Sequence, residues 1–459
     1  MHEPSSPVEQ SFQIAVEPSS PQTINGAITD PPFSPWPLGL RIAFRFCFMY
    51  FGLFCLTTQI FTGMISTPWT DVPDLYTLLP LRQIIAWTAI HVLDTRNAFV
   101  FTGSGSGDKT TDWILVFLIA IVAVVTTAIW SALDRNRTQY SQLHAYFRLF
   151  IRFALASQLI SYGLAKAFPM QMPYPGLTRL LEPFGNFSAM GVLWASIGAS
   201  PAYERFAGLA ELAAGVLLLM PRTTLLGALI AVLDMTQVFM LNMTYDVPVK
   251  ILSFHLLLLA VFLAAPDLPR LFTLLFRNQA VAAPTASPIF RTRRAARIAL
   301  TIQLLYGAAL LGLGIFDSYR NWGEYGANAP KPPLYGIWEA DEYSIDGEIR
   351  QPVFTDKERW RRFVIDRSGL AGVQLMDDSL TYCTAKLDTA RQTLTLIQRR
   401  GQQRLGEMSF EQPDARSLTV DGEWGSHAIR ARLHLLDDTN KFPLRAAKFH
   451  WVNEYPVNR

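Results

Sequence analysis

FAGLAELAAGVLLLMPRTTLLGALIAVLDMTQVFMLNMTYDVPVK, residues 206–250, is the stretch that decides the fold of this chain. Two apolar runs, each of about twenty residues and so near bilayer length, meet at Pro221–Thr223 in the pattern of a tight helical hairpin. Polar groups interrupt them: Glu211 in the first, Asp234 and Gln237 in the second, then Asn242, Asp246 and Lys250, with His255 just beyond. A carboxylate at membrane depth costs at least ~2.5 kcal/mol on insertion scales, so such groups face a bundle interior or a wet cavity rather than lipid. The stretch therefore predicts membrane helices around a buried polar site.

The same hydropathy recurs on both sides of it. Seven spans are expected, at residues 37–61, 113–133, 146–167, 204–220, 223–243, 249–265 and 298–316, each near the ~17–25 residues a bilayer needs. A composition of 50% hydrophobic and 17% charged residues averages two populations. Residues 36–316 carry the apolar runs, and residues 317–459 are too polar to cross a membrane. Residues 1–35, rich in Pro, Ser, Gln and Glu, read as a disordered tail and not as a cleaved leader. Residues 317–334 read as a linker. Beyond it, period-two segments at 335–345, 362–365, 393–398, 429–435 and 444–451 predict an antiparallel all-β domain, a small barrel or sandwich, spanning 335–459. The fold class is thus an α-helical membrane bundle of about seven transmembrane helices followed by an antiparallel all-β C-terminal domain.

Basic residues set the orientation. Arg41 and Arg45 precede the first span, Arg135 and Arg137 follow the second, and Arg270, Arg277, Arg291, Arg293, Arg294 and Arg297 lie before the last. Counting spans alternately puts all of these loops on the side of the N-terminus, which the positive-inside rule makes cytoplasmic, and puts the β domain outside. Residues 76–94, with Pro80, Arg82 and His91, then read as an interfacial or re-entrant helix on the outer face, and residues 169–203 as a connection with a short helix over the bundle. A net charge of +3 without a basic face argues against nucleic acid.

The chemistry centres on two carboxylates. Glu211 and Asp234 lie on the facing helices of the hairpin and can meet, and Gly208 and Gly215 on the face of Glu211 let a backbone or a flat ligand come close. Lys166 and Tyr162 lie one turn apart at the end of the third span; Lys250 stands four residues after Asp246 and can pair with it. Glu211, Asp234 and His255 are the candidate proton-handling groups, and Tyr162, Lys166, Gln237 and Lys250 the candidate ligand-binding ones. The competing reading is that the acids only lock the bundle.

Other chemistry finds little support. His255 alone among the histidines lies in a confident span, which leaves a bis-histidine haem without ligands, and the remaining histidines lack metal-ligand spacing. GSGSGDKT at 103–110 departs from a phosphate loop at Asp108 and reads as a flexible loop. Cys47, Cys55 and Cys383 form no disulfide framework, and Arg148 and Arg152 are expected to snorkel to headgroups.

YGLAKAF at 162–168, FAGLAELAAGVLLLMPRTTLLGA at 206–228 and LNMTYDVPVK at 241–250 resemble DoxX-like membrane proteins, over roughly residues 148–269, and FHWVNEYPVNR at 449–459 is similar to the ending of an extended bacterial subgroup of them. That family is usually a compact four-helix unit, so the extra spans and the β domain depart from it. Its members include a subunit associated with thiosulfate:quinone oxidoreductase and proteins tied to redox stress. The resemblance implies quinone or sulfur redox chemistry rather than transport, and the leading expectation is quinone-linked redox chemistry at a bacterial inner membrane with a quinone as cofactor; since the chain carries no cofactor-binding fingerprint, electrons would come from a redox partner protein.

Two readings of another class remain open. The bundle could anchor the β domain as an interaction module for an envelope partner, with Trp338, Trp360, Trp424 and Trp451 as its aromatic contacts; or the protein could carry a small solute or protons, although no inverted repeat is evident. Finally, residues 449–455 are expected to complete the β-sheet, with the tail beyond them over the polar cluster.

Overall fold

The computed structural model describes residues 35–95, 99–282, 289–290, 292–399, 403–436, 439, 442–446, 450–452 and 454–455. The chain begins with α1 (Leu38–Thr57), which breaks at Thr58 and resumes as α2 (Gln59–Ile65). The break is built into the sequence: the Thr57 and Thr58 hydroxyls turn back to the carbonyls of Leu53 and Phe54 and compete with the helix ladder. α3 (Leu81–His91), α4 (Thr110–Leu133) and α5 (Ser141–Ala167) follow, then the short α6 (Leu177–Leu181) and α7 (Ala189–Gly198).

Pro201 opens α8 (Pro201–Leu219), where its missing N–H costs nothing. The helix ends where Thr223 donates to the Leu217 carbonyl, and α9 (Thr224–Thr244) returns along it. α10 (Lys250–Ala264), the amphipathic α11 (Leu268–Phe276) and the long α12 (Arg293–Tyr325) complete the helical part.

α5 is the axis of the bundle. Every residue from 151 to 160 is buried, which is why so polar a helix is stable there. Among the described residues, five helical segments are long and apolar enough to cross a membrane: α1, α4, α9, the run from α10 through α11, and α12. α5 and α8 are of similar length but carry the charges, and they pack inside the others. α12 buries only Gly307 and Ser318 among its described residues and lies at the rim.

Several interior charges lock this bundle. Arg45 is 1% exposed and donates to the Tyr140 hydroxyl (2.7 and 2.9 Å), Ser131 Oγ (2.8 Å) and the Asp134 carbonyl (3.0 Å), tying α1 to the ends of α4 and α5. Arg148 reaches the Leu263 carbonyl on α10 at 2.7 Å, and Arg152 reaches Gln303 on α12. The snorkelling expected of Arg148 and Arg152 is therefore replaced by bonds between helices. Once three helices pack on α5, its carbonyl-seeking guanidiniums find partners nearer than a headgroup.

The C-terminal domain is a closed antiparallel barrel of eight strands in sequential order: β1 (Gly336–Ile345), β3 (Trp360–Ile365), β4 (Leu370–Leu375), β5 (Leu380–Asp388), β6 (Thr393–Gln398), β7 (Arg404–Asp414), β8 (Ser417–Trp424) and β9 (His427–Leu435), with β9 pairing back onto β1. β2 (Glu348–Ile349) is a short return on the end of β1. Inward residues alternate along each strand, and Trp338, Tyr343, Trp360, Phe363, Leu396, Met408 and Leu418 fill the interior. Eight strands leave room for side chains and little else.

The barrel is held to the bundle by α6. Leu177 and Leu181 pack on Ile337 and Val364, which point outward from β1 and β3. Asp366 accepts the Leu177 amide at 2.6 Å, Gln374 donates to the Leu181 carbonyl at 3.2 Å, and Tyr382 donates to Glu182 at 2.6 Å. Burial and that carboxylate together push the Tyr382 phenol up from its ordinary value.

Residues 76–94, expected not to span, contain α3, a helix of 11 residues, roughly 16 Å long at ~1.5 Å per residue and too short to cross. Other expectations need correction. α12 continues to Tyr325, through residues expected to form a linker, because Asp317–Tyr325 lacks any proline or glycine pair to stop it before Gly326. The strand expected at 444–451 is a helical turn, Pro443–Ala446, where described. His450–Val452 and Glu454–Tyr455 join no strand, since β9 closes the barrel on β1 and leaves no edge to complete; Phe449, Asn453 and residues 456–459 lie outside the described residues. Trp338 and Trp360 are core residues, which removes them as partner contacts.

Candidate functional site

The site grows from the crossing of α5 and α8. A stripe at sevenfold spacing, Glu204, Gly208, Glu211 and Gly215, runs down one face of α8. Gly208 sits on Gly163 of α5 so closely that a Cβ on either would lie 2.6–2.8 Å from backbone of the other helix. The glycines thus admit a backbone and not a flat ligand. The close crossing brings Lys166 Nζ to 2.5 Å from Glu211 Oε1, with both side chains buried.

Beside this pair lies a cavity of about 210 Å³ between α5, α7, α8, α9 and α10. Its walls are mainly apolar, among them Leu159, Leu193, Trp194, Met235, Val238, Leu252 and Leu256. The polar groups converge on it: Tyr162, Lys166, Gln171, Glu204, Glu211, Asp234, Gln237 and Asn242. Asp234 is half-buried and lies within electrostatic range of Glu211 and Lys166. Asn242 is oriented by its amide, which donates to Ser253 Oγ at 3.0 Å and fixes α9 to α10. Tyr162 receives a hydrogen bond from Gln59 Nε2 at 2.9 Å, and Gln59 also bonds Gln158 at 3.2 Å, so the broken helix α1–α2 supports the phenol.

Five of the seven residues chosen from the sequence therefore share one cavity: Glu211, Asp234, Tyr162, Lys166 and Gln237. His255 is not with them. It stacks on Phe54 with centroids 3.7 Å apart, its Nδ1 faces the Ile251 carbonyl at 2.7 Å, and its Nε2 takes the Tyr50 hydroxyl at 2.9 Å, all in the contact between α1 and α10. Both nitrogens are occupied, which suits a packing residue. Lys250 is also outside the lining: it pairs with Asp246 at 2.8 Å and approaches Asp108 at 3.7 Å.

Asp108 explains the glycine-rich loop. Its two carboxylate oxygens accept the Lys250 and Ile251 amides (2.8 and 2.9 Å), capping α10 from 140 residues away, and Gly107 N bonds the Pro248 carbonyl at 2.8 Å. The loop expected to be flexible is a helix cap that places Gly105 at the mouth of the cavity.

Glu204 was missed by sequence reasoning. It is fully buried, lines the cavity and accepts the Met172 amide at 2.9 Å through Oε1. Its spacing of seven from Glu211 was the available signal. Among the described residues, Glu204 Oε2, Glu211 Oε2 and Asp234 Oδ2 are buried and receive no hydrogen bond. No cluster of His, Cys, Asp and Glu suited to a metal occurs among the described residues.

No family model and no solved structure matches the chain. Over 137 residues, 30% of its length, it is 34% identical to an uncharacterized protein, YwoB, of Bacillus subtilis (strain 168), and it covers 84% of that protein.

Proposed function

The chain belongs to the family of that Bacillus protein, and we propose that it is a DoxX-like integral membrane protein that binds a quinone-type ring in the cavity beside Lys166 and Glu211. The observation that carries this reading is the combination of apolar walls with three carboxylate oxygens, on Glu204, Glu211 and Asp234, that are buried and unpartnered. A buried acceptor without a donor is costly, and a hydroxyl of the reduced ring, the quinol, supplies what is missing. A volume of about 210 Å³ is below the ~300–1,000 Å³ of sites that enclose a whole drug-sized ligand, so the cavity suits a ring whose apolar tail leaves between helices.

A bound quinone would supply two-electron, two-proton redox chemistry, with electrons from a partner protein. The chain's own residues would hold and orient the ring and move protons. Three carboxyl groups line the cavity with one ammonium, Lys166, and in this reading Asp234 or Glu211 passes a proton to a ring oxygen. Tyr162 and Gln237, which line the cavity, would bond ring oxygens. His255 and Lys250, outside the cavity lining, take structural roles. Titration of the purified protein with a short-chain benzoquinol, kept reduced, is expected to saturate at one per chain, and Glu211→Gln to weaken it about tenfold, the loss of one strong hydrogen bond. Equal binding by both proteins, or none by either, would exclude the reading.

The membrane arrangement we propose has seven spans, α1, α4, α5, α8, α9, α10 and α12, with the N-terminus cytoplasmic and the barrel outside the bacterial inner membrane. Its support is the five apolar segments, the basic loops that all fall on one side, and α11, whose Leu268, Phe272, Leu275 and Phe276 are exposed together as in an interfacial helix. Ser426, exposed in the turn between β8 and β9, is the probe. A Ser426→Cys variant should react with an impermeant thiol reagent in intact spheroplasts; reaction only after lysis would reverse the orientation.

A further inference from the structure

A second cavity, about 770 Å³, lies where the barrel meets the bundle, and its charge is lopsided. Arg179, Arg205, Lys331, Arg367, Arg399 and Arg445 line it, against the single carboxylate of Asp366. That carboxylate is turned onto backbone, accepting the Leu177 and Arg367 amides at 2.6 and 2.8 Å, and Arg179 is paired with Glu182. No carboxylate among the described residues pairs with the other five cations. Arg367 and Arg445 are instead held in place by carbonyls, of Ala327 and Pro175 respectively, so their charge is positioned but not neutralised.

Two further donors in this lining, Trp322 Nε1 and Arg445 Nε, are buried and have no acceptor among the described residues. Packing alone leaves such donors unsatisfied only at a cost, and an anion in the cavity would offer them an acceptor. Planar guanidiniums in this number match the oxygens of a phosphate better than any neutral group. The cavity is separated from the carboxylate-lined one by Trp194, which lines both.

We infer that the cleft between barrel and bundle is a binding site for a phosphate group, either that of a lipid head or of a small soluble phosphate. The cations come from α6, α8, the residues after α12, the β3–β4 connection, the turn after β6 and the helical turn Pro443–Ala446, so binding would clamp the barrel to the bundle.

The test uses the full chain in detergent at constant ionic strength. One arm titrates inorganic phosphate by calorimetry against chloride; the other counts phosphatidylglycerol molecules retained after exhaustive detergent washing. Arg205 and Lys331 are exposed, so the double variant Arg205→Gln/Lys331→Gln should keep the barrel's thermal transition while weakening phosphate or lipid retention by about tenfold or more. Arg205→Lys/Lys331→Arg should retain binding. Saturable phosphate binding assigns the soluble source, and retained lipid without phosphate binding assigns the headgroup. Phosphate held no better than chloride with no lipid retained, or binding unchanged in the glutamine variant, would overturn the inference.

Discussion

Replacing Lys166 with methionine is expected to lower the stability of the bundle by about 3–5 kcal/mol, because it leaves the Glu211 carboxylate buried without its partner. The pair is 2.5 Å apart and both side chains are under one-tenth exposed, so the carboxylate loses its main partner where little solvent replaces it. Removing both charges together, in Lys166→Met/Glu211→Leu, should restore most of the loss, since two packed apolar groups cost less than one orphaned charge. Unfolding in mixed micelles, followed by far-ultraviolet circular dichroism, measures all three proteins. A single variant no less stable than the double one would mean that the buried ion pair does not exist.

Gly208→Val is expected to be comparably damaging for a steric reason. A Cβ at this position would meet Ala167 N, Gly163 O and Lys166 Cβ, each at 2.6 Å, and these are backbone and near-backbone atoms that cannot rotate away. The helices must part, at a cost of at least ~1–3 kcal/mol, and the Lys166–Glu211 contact parts with them. Gly208→Ala should be intermediate. Gly312→Ala on α12, where nothing lies within 4 Å, is the control and should leave stability unchanged. Equal effects at Gly208 and Gly312 would show that the crossing is looser than described.

The helical elements were legible in the sequence because each depends on a long run of apolar residues that no tertiary contact needs to supply. α9 at Thr224–Thr244 and α10 at Lys250–Ala264 fall within a residue or two of their expected ends. Glu211, Asp234 and Lys166 were legible as a site because a charge in such a run must find a partner. The place of His255 was not. α10 is apolar all round, so its pattern cannot say which face meets the cavity; Asn242 bonding to Ser253 decides that, and it turns Leu252 and Leu256 inward and His255 toward α1. β5 and β7 escaped notice for another reason. Their outward positions carry Lys386, Glu407, Glu411 and similar charges, while Gly406 weakens the inward pattern that Met408 and Phe410 would otherwise make plain. The charge-lined cleft was illegible because its six cations come from six separate segments.

The central claim, a quinone-type ring held between α5, α8, α9 and α10, is tested most directly by photolabelling the purified protein with an azido-substituted short-chain quinone and mapping the adduct by mass spectrometry. Adducts are expected on residues lining the cavity, such as Trp194, Met235 or Val238, competed away by unlabelled quinone and lost when Leu256→Trp fills the space. Labelling confined to the lipid-facing side of α4 or α12, or unaffected by competitor and by Leu256→Trp, would contradict it.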